Sequence, residues 1–137
     1  MRLRIYTDGA CRGNPGPAAI GVVIRDEQQR ELARISEYVG HGTNNQAEYR
    51  AVIAALKAAA EFKPAEVTLY TDSELVARQL AGGYRVKSPV LLPLYTEAAE
   101  LSKRFANLSI IHIRRGGNVE ADALANAALR KSLREQT

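Results

Sequence analysis

The sequence predicts an α/β protein with a mixed β-sheet and helices on the faces of that sheet. The predicted elements run in the order strand, hairpin, helix, strand, two helices, strand and helix, which is typical of helices packed on a mixed sheet. In addition, residues 5–9 read Ile-Tyr-Thr-Asp-Gly and residues 69–73 read Leu-Tyr-Thr-Asp-Ser. Each follows a short run in which apolar and polar residues alternate as in a strand. Two predicted strands of the sheet therefore end with the same tripeptide, Tyr-Thr-Asp.

Turn signals divide the N-terminal part of the chain into three strands. Leu3 and Ile5 alternate with polar residues in the first strand. Residues 13–17 form a turn rich in glycine, proline and asparagine, and residues 26–29 form the loop of a hairpin. The strands predicted here are residues 3–9, 18–26 and 31–39.

The rest of the chain alternates helices with strands. The first helix must end before Pro64, because a proline excludes helical geometry from the residue before it. The second helix ends at Gly82 and Gly83, and Pro93 either kinks or restarts the third. The predicted helices are 44–62, 73–81, 89–106 and about 118–134, and the predicted strands are 66–72 and 108–114.

Composition limits the class of protein. A chain of 137 residues with 46% apolar content is long enough for one domain with a sizeable core, which we assign to residues 1–137. Its net charge of +4 permits a polyanionic partner. The single cysteine, Cys11, excludes an internal disulfide framework and predicts a reducing, cytoplasmic location. We expect neither a signal peptide nor a membrane span, since the chain begins in a strand and has no long apolar run.

Asp8 and Asp72 occupy equivalent positions at the ends of their strands. Side chains alternate along a strand, so equal spacing places both carboxylates on the same face. If the two strands are parallel and adjacent, the carboxylates lie side by side at the edge where open α/β sheets bind ligands. Two carboxylates this close repel each other, which destabilises the folded protein unless a cation binds between them. A divalent ion is the usual cation at such a site. Taken singly, each aspartate could instead be an Asx-turn residue.

Two further carboxylates lie on the inward faces of predicted helices. Glu48 lies in the middle of the apolar face that contains Val52 and Ala55, and Asp122 shares a face with Leu129. A first-turn glutamate that favours the helix dipole and an aspartate that assists a helix cap are the alternatives. Taken together, the set favours one acidic metal site formed by Asp8, Glu48, Asp72 and Asp122.

Four ordered motifs resemble those of type 1 ribonuclease H, and the resemblance covers essentially the whole chain. The first is Thr-Asp-Gly-Ala-Cys-Arg-Gly-Asn-Pro-Gly at residues 7–16, and the second is Thr-Asn-Asn-Gln-Ala-Glu at residues 43–48. The third is Thr-Asp-Ser at residues 71–73, and the last is Asn-Val-Glu-Ala-Asp-Ala-Leu-Ala-Asn at residues 118–126. Each short motif is weak evidence for the family when taken alone, but the four motifs in this order are specific to it.

The resemblance implies a ribonuclease H-like fold, with a five-stranded mixed sheet in the order 3-2-1-4-5. It implies an endoribonuclease that hydrolyses the RNA strand of RNA/DNA hybrids by two-metal-ion catalysis and leaves 5′-phosphate and 3′-hydroxyl ends. Two Mg²⁺ ions, or Mn²⁺ as a substitute, would bind with the substrate. The resemblance also leads us to expect a monomer whose partner is the hybrid and not a membrane. The implied metal ligands are Asp8, Glu48, Asp72 and Asp122.

The resemblance also implies a set of substrate-binding residues. The asparagines and nearby backbone groups would contact ribose hydroxyls and the DNA strand, and Thr43 matches a position that contacts a DNA phosphate. Other roles stay open: Asn14 as a turn residue, Asn44 and Asn45 as helix-start residues, and Ser73 as a support for Asp72 or a helix cap. The set is Gly9, Asn14, Thr43, Asn44, Asn45, Gln46 and Ser73.

The chain departs from the family pattern in two places. Many relatives carry a histidine in the loop before the last aspartate, whereas residues 114–118 read Arg-Arg-Gly-Gly-Asn. We assign the catalytic contribution of this loop to Arg115, which can hold a phosphate but cannot shuttle protons at neutral pH. The basic, tryptophan-rich handle of some relatives is missing, because the chain has no tryptophan and residues 82–95 contain only Arg85 and Lys87 as basic residues.

Two other functions compete with hybrid hydrolysis. A related nuclease or integrase-like enzyme could use the same fold on other nucleic acids, but the complete second motif argues against it. A non-catalytic binding module is a further alternative, and the presence of all four carboxylates argues against that.

Overall fold

A five-stranded mixed sheet forms the centre of the computed structural model, which describes residues 1–135. The strand order is β3-β2-β1-β4-β5, as predicted. β1 pairs antiparallel with β2 and parallel with β4, while β2–β3 is antiparallel and β4–β5 is parallel. The strands are β1 (Arg2–Cys11), β2 (Gly16–Arg25), β3 (Glu31–Gly42), β4 (Glu66–Thr71) and β5 (Leu108–His112).

The helices follow the predicted order, with one clear correction. The predicted helix over 89–106 spans only Leu92–Ser102, because Pro93 lies in its first turn, where the missing backbone N–H breaks no helical hydrogen bond. Pro93 therefore starts this helix and does not kink it. The helices are α1 (Asn44–Ala60), α2 (Glu74–Leu80), α3 (Leu92–Ser102) and α4 (Val119–Glu135), with a 3₁₀ turn at Arg115–Gly117.

The hairpin strands are longer than the sequence predicts. β2 begins at Gly16 and β3 continues to Gly42, and these two residues are paired at the end of the ladder. Residues 13–17 were predicted as a turn, so the turn is shorter than expected. The extra pairs bring the start of α1 close to the turn that follows β1.

Helices cover the two faces of the sheet unequally. On one face, α1 and α3 pack on a core that includes Leu3, Ile5 and Leu69, all at most 1% exposed. On the other face, α4 packs mainly on β1, β2 and β3, where Ala19, Ala128 and Leu129 form a small apolar cluster. The two helices that carry Glu48 and Asp122 therefore lie on opposite faces of β1.

The segment between α2 and α3, residues 81–91, contains no helix. The sequence contains no basic, tryptophan-rich handle in this connection, and the structure shows no helix there that could form one. Within residues 1–135, none of the helices combines the length and apolar character that crossing a membrane requires.

Candidate active site

β1 and β4 place Asp8 and Asp72 side by side. The two strands are parallel neighbours, and their ladder pairs Tyr6 with Tyr70 and Thr7 with Thr71. Asp8 follows Thr7 inside β1, and Asp72 is the first residue after β4. The structure thus confirms the predicted pairing, and both aspartates lie at the same step beyond the last ladder pair.

Glu48 from α1 completes a tight group of three carboxylates. One ligand oxygen from each of Asp8, Glu48 and Asp72 lies within 4.8 Å of the others. Asp8 and Glu48 are only 5% and 8% exposed, while Asp72 is half-buried. Hard oxygen donors at this spacing suit a divalent cation such as Mg²⁺ or Mn²⁺.

Gly9 allows α1 to approach β1 closely enough for Glu48 to join the group. A Cβ at position 9 would lie 2.6 Å from both the Ala47 carbonyl carbon and the Glu48 backbone nitrogen, which is well inside van der Waals contact. The Gly9 N–H donates to Asp8 Oδ1 at 3.0 Å and also to Glu48 Oε1. Gly9 therefore connects the two carboxylates through its backbone.

Asp122 approaches from the opposite face through a second close contact. Asp8 is paired with Gly21 of β2, and a Cβ at Gly21 would lie 2.0 Å from the carbonyl oxygen of Ala121. The glycine thus lets the first turn of α4 rest on the sheet beside Asp8. Asp122 hydrogen bonds with Asp8, and Asn126 Nδ2 donates to Asp122 Oδ1 at 3.1 Å. Asp122 therefore lies next to Asp8, but it is not one of the three carboxylates whose ligand oxygens all lie within 4.8 Å of one another.

The carboxylates repel one another, and this repulsion shifts their protonation. Burial raises the pKa of Asp8 above its usual range, followed by the negative charge of Asp72 and the hydrogen bond with Asp122. Burial also raises the pKa of Glu48, followed by the charges of Asp8 and Asp72. A bound divalent cation would relieve this repulsion.

A capping box fixes the start of α1. Thr43 Oγ1 accepts from the Gln46 N–H at 3.1 Å, and Gln46 Oε1 accepts from the Thr43 N–H at 2.8 Å. Asn14 Oδ1 accepts from the Asn44 N–H at 3.1 Å, which ties the turn after β1 to the helix. Asn44 and Asn45 are exposed at this helix start, so their side chains are accessible to a ligand.

Ser73 and Arg115 have different surroundings. Ser73 Oγ accepts from the Val76 N–H at 3.2 Å and caps α2, so the capping alternative is confirmed. Arg115 opens the 3₁₀ turn before α4 and is exposed. The structure therefore keeps Arg115 on the loop that leads to Asp122 and available to a ligand.

Asn118 is a buried residue of the site with no predicted role. Its side chain is 1% exposed, and its Nδ2 donates to the Thr7 carbonyl oxygen at 2.8 Å. The same Nδ2 lies 3.5 Å from Asp72 Oδ2. A signal was present in the sequence, since Asn118 directly precedes the helix that carries Asp122 and belongs to the last motif.

Comparison with known proteins places this geometry in context. Residues 6–128 match a family model described as reverse transcriptase-like. A protein named ribonuclease HI from Halobacterium salinarum is 47% identical over 128 residues, which are 93% of this chain but only 64% of that protein. The chain thus spans less than two thirds of that curated relative.

Two solved structures are closely similar over nearly the whole chain. The crystal structure of RNase H1 from Halobacterium salinarum has a TM-score of 0.92 and 46% identity, over 96% of this chain and 99% of that one. LC11-RNase H1, solved in complex with an RNA/DNA hybrid, has a TM-score of 0.91 and 45% identity over the same shares. Both neighbours carry the ribonuclease H1 name, and their strand arrangement agrees with the fold described above.

Proposed function

Because this chain belongs to the type 1 ribonuclease H family, we propose that it is an endoribonuclease that hydrolyses the RNA strand of RNA/DNA hybrids. The observation that carries the proposal is the convergence of Asp8, Glu48 and Asp72 just beyond the last residues that pair β1 with β4, with ligand oxygens within 4.8 Å of one another. A relative solved with a hybrid, LC11-RNase H1, supports the choice of substrate.

The residues present fit a divalent cation, and the proposed reaction would use two of them. All the side-chain donors are carboxylate oxygens, which Mg²⁺ and Mn²⁺ prefer. The raised pKa values of Asp8 and Glu48 reflect burial first and then the crowding of negative charge. When bound, the metals would supply charge stabilisation for the phosphoryl group and a lower pKa for the attacking water. We assign the ligands to Asp8, Glu48, Asp72 and Asp122.

The carboxylates also set the protonation state in which the site works. Burial and mutual repulsion raise the pKa of both Asp8 and Glu48, so these groups hold protons to higher pH than ordinary carboxyls. They must release those protons to bind a cation. Metal-dependent activity is therefore expected to fall as the pH is lowered.

Ribose selection is assigned to the second motif and to the turn that supports it. The 2′-hydroxyl both donates and accepts hydrogen bonds, and this distinguishes RNA from DNA. Asn44 and Asn45 offer exposed amides that can do the same. Asn14 holds the Asn44 backbone in place at 3.1 Å. The Gly9 N–H donates a hydrogen bond to the Asp8 carboxylate, and the Thr43–Gln46 capping box fixes the start of α1.

Arg115 completes the proposed machinery as a fixed cation. An arginine stays protonated at neutral pH, so it can hold a phosphate but cannot transfer a proton. Its exposed position on the turn before α4 leaves its five donors available to a substrate phosphate. Hydrolysis with the 3′ oxygen as leaving group would give 5′-phosphate and 3′-hydroxyl ends.

The site is complete within one chain, since all four carboxylates come from residues 8–122. We therefore infer a monomer as the active form. The single cysteine fits a reducing compartment such as the cytoplasm.

A substrate panel tests the proposed function. An RNA/DNA hybrid, a duplex RNA and a duplex DNA of the same sequence are incubated with the protein and Mg²⁺. The proposal predicts internal cuts in the RNA strand of the hybrid and intact duplex DNA. Cleavage of duplex DNA at a comparable rate would favour the alternative nuclease, and binding of the hybrid without any cleavage would favour a non-catalytic module.

A further inference from the structure

Asn118 stands at the start of α4, but its side chain does not cap that helix. Its carbonyl oxygen accepts from the Asp122 N–H at 3.1 Å, which is the first turn of the helix. Asparagine is favoured at this position because its side-chain oxygen usually accepts from a free N–H of the first turn. Here Asn118 Oδ1 is buried and accepts no hydrogen bond from the described residues 1–135.

The side-chain amide is used for a contact across the sheet. Asn118 Nδ2 donates to the Thr7 carbonyl oxygen at 2.8 Å and lies 3.5 Å from Asp72 Oδ2. A carbonyl oxygen can only accept, so the bond to Thr7 fixes which end of the amide faces the strands. The orientation that leaves Oδ1 unpaired is therefore required by the contact with β1 and β4.

This one residue connects the elements that carry three of the four carboxylates. Thr7 is the residue before Asp8, Asp72 is contacted directly, and the Asn118 carbonyl holds the turn that contains Asp122. These contacts come from β1, β4 and α4, three elements that are far apart in the sequence.

We propose that Asn118 is a positioning residue that keeps Asp8, Asp72 and Asp122 at the spacing a divalent cation needs. The inference rests on the proposed function, because it assumes that these carboxylates bind metal. Residues that hydrogen-bond to metal ligands and orient them have a measurable effect on metal affinity, because their removal typically weakens it by about 10–100-fold.

A purely structural role makes a different prediction. If Asn118 served only to start α4, serine would replace it well, because serine is as good an N-cap as asparagine. Asn118→Ser is neutral and can cap the helix, but it lacks the amide that reaches Thr7 and Asp72. Asn118→Ala offers neither a capping hydroxyl nor the amide, so the two variants separate helix capping from carboxylate positioning.

The test measures Mg²⁺ binding by the free protein as well as Mg²⁺-dependent cleavage. Mg²⁺ is titrated into wild type, Asn118→Ser and Asn118→Ala without substrate, and binding is followed by NMR chemical shifts. Asn107→Ala is the matched control, because Asn107 also donates its Nδ2 to a backbone oxygen, that of Ala65 at 3.4 Å, but at the opposite end of β4. Melting temperatures are recorded for all four proteins.

We expect both Asn118 variants to bind Mg²⁺ at least about tenfold more weakly and to need correspondingly more Mg²⁺ for half-maximal cleavage. Excess Mg²⁺ should restore part of the turnover number, and Asn107→Ala should match wild type. Unchanged Mg²⁺ affinity in Asn118→Ser would overturn the inference, as would failure of both variants to fold. If wild type itself neither binds Mg²⁺ at the carboxylates nor cleaves the hybrid in Mg²⁺, the proposed function fails instead.

Discussion

Replacing Asp8 by asparagine should stabilise the metal-free protein while removing its activity. Asp8 is 5% exposed, and burial and the charge of Asp72 raise its pKa. The substitution removes one negative charge from the cluster. Asparagine keeps an Oδ1 that can accept from the Gly9 N–H, which now donates to Asp8 Oδ1 at 3.0 Å. The repulsion is therefore relieved without the loss of the local hydrogen bond.

The size of the effect follows from proton linkage. A raised folded-state pKa means that the folded protein binds more protons than the unfolded chain between the two pKa values. The free energy of unfolding is then highest below the unfolded pKa and falls as the pH rises toward the folded one. Each pKa unit corresponds to about 1.4 kcal/mol. We expect Asp8→Asn to add about 1–2 kcal/mol at pH 7, or roughly 3–6 °C in melting temperature for a domain of this size.

Thermal melts at pH 7, with and without Mg²⁺, measure this difference. Mg²⁺ binds the folded wild type and should narrow the gap between the two proteins. Asp26→Asn is the control, because Asp26 is also buried. Burial alone would raise the Asp26 pKa, but hydrogen bonds from Arg30 and from the Gln28 N–H lower it. That variant should lose stability with or without Mg²⁺. If Asp8→Asn destabilises the metal-free protein, Asp8 is a structural turn residue and the repulsion argument is wrong.

Three further outcomes are expected. The melting temperature of metal-free wild type should fall as the pH rises from about 5 to 8, because the raised pKa values of Asp8 and Glu48 mean that the folded state binds protons more tightly than the unfolded chain. The melting temperature of Glu48→Gln should depend less on pH, and an equal dependence in the two proteins would contradict the role given to Glu48. Hybrid affinity should weaken with salt as expected for only about 3–6 phosphate contacts, and titrations that find no salt dependence would exclude electrostatic binding. Arg115→Ala should lower the turnover number about tenfold, which corresponds to the loss of one charge-assisted hydrogen bond of about 1.5 kcal/mol, and should change the melting temperature little. Arg114→Ala is the control, and if Arg115→Ala has the same kinetics as this control and wild type, Arg115 is a surface residue without a role in turnover.

The sequence predicts those parts of the site that depend on local geometry. Alternation along a strand is fixed at two residues, so equal spacing was enough to place Asp8 and Asp72 on one face. The capping box at Thr43 and Gln46 is a local signal as well, and it fixed the start of the helix that carries Glu48. The predicted strand order came from the resemblance, and the structure confirms it.

The remaining features depend on contacts between distant segments. The approach of α4 to Asp8 requires the bare backbone of Gly21, which is 100 residues from Ala121 and which no local pattern connects to it. The side chain of Asn118 turns to Thr7, although its position predicts a helix cap. Pro93 could kink or start a helix on sequence grounds, and the structure places it in the first turn of α3.

Cleavage of a hybrid by wild type and by Asp72→Asn, in Mg²⁺ and in EDTA, with analysis of the RNA ends, tests the central claim most directly. Only wild type with Mg²⁺ should cut the RNA strand, and its products should carry 5′-phosphate and 3′-hydroxyl ends. Circular dichroism should show that Asp72→Asn is folded. Cleavage in EDTA, full activity of Asp72→Asn, or 2′,3′-cyclic phosphate ends would contradict a carboxylate-bound metal site as the source of the activity.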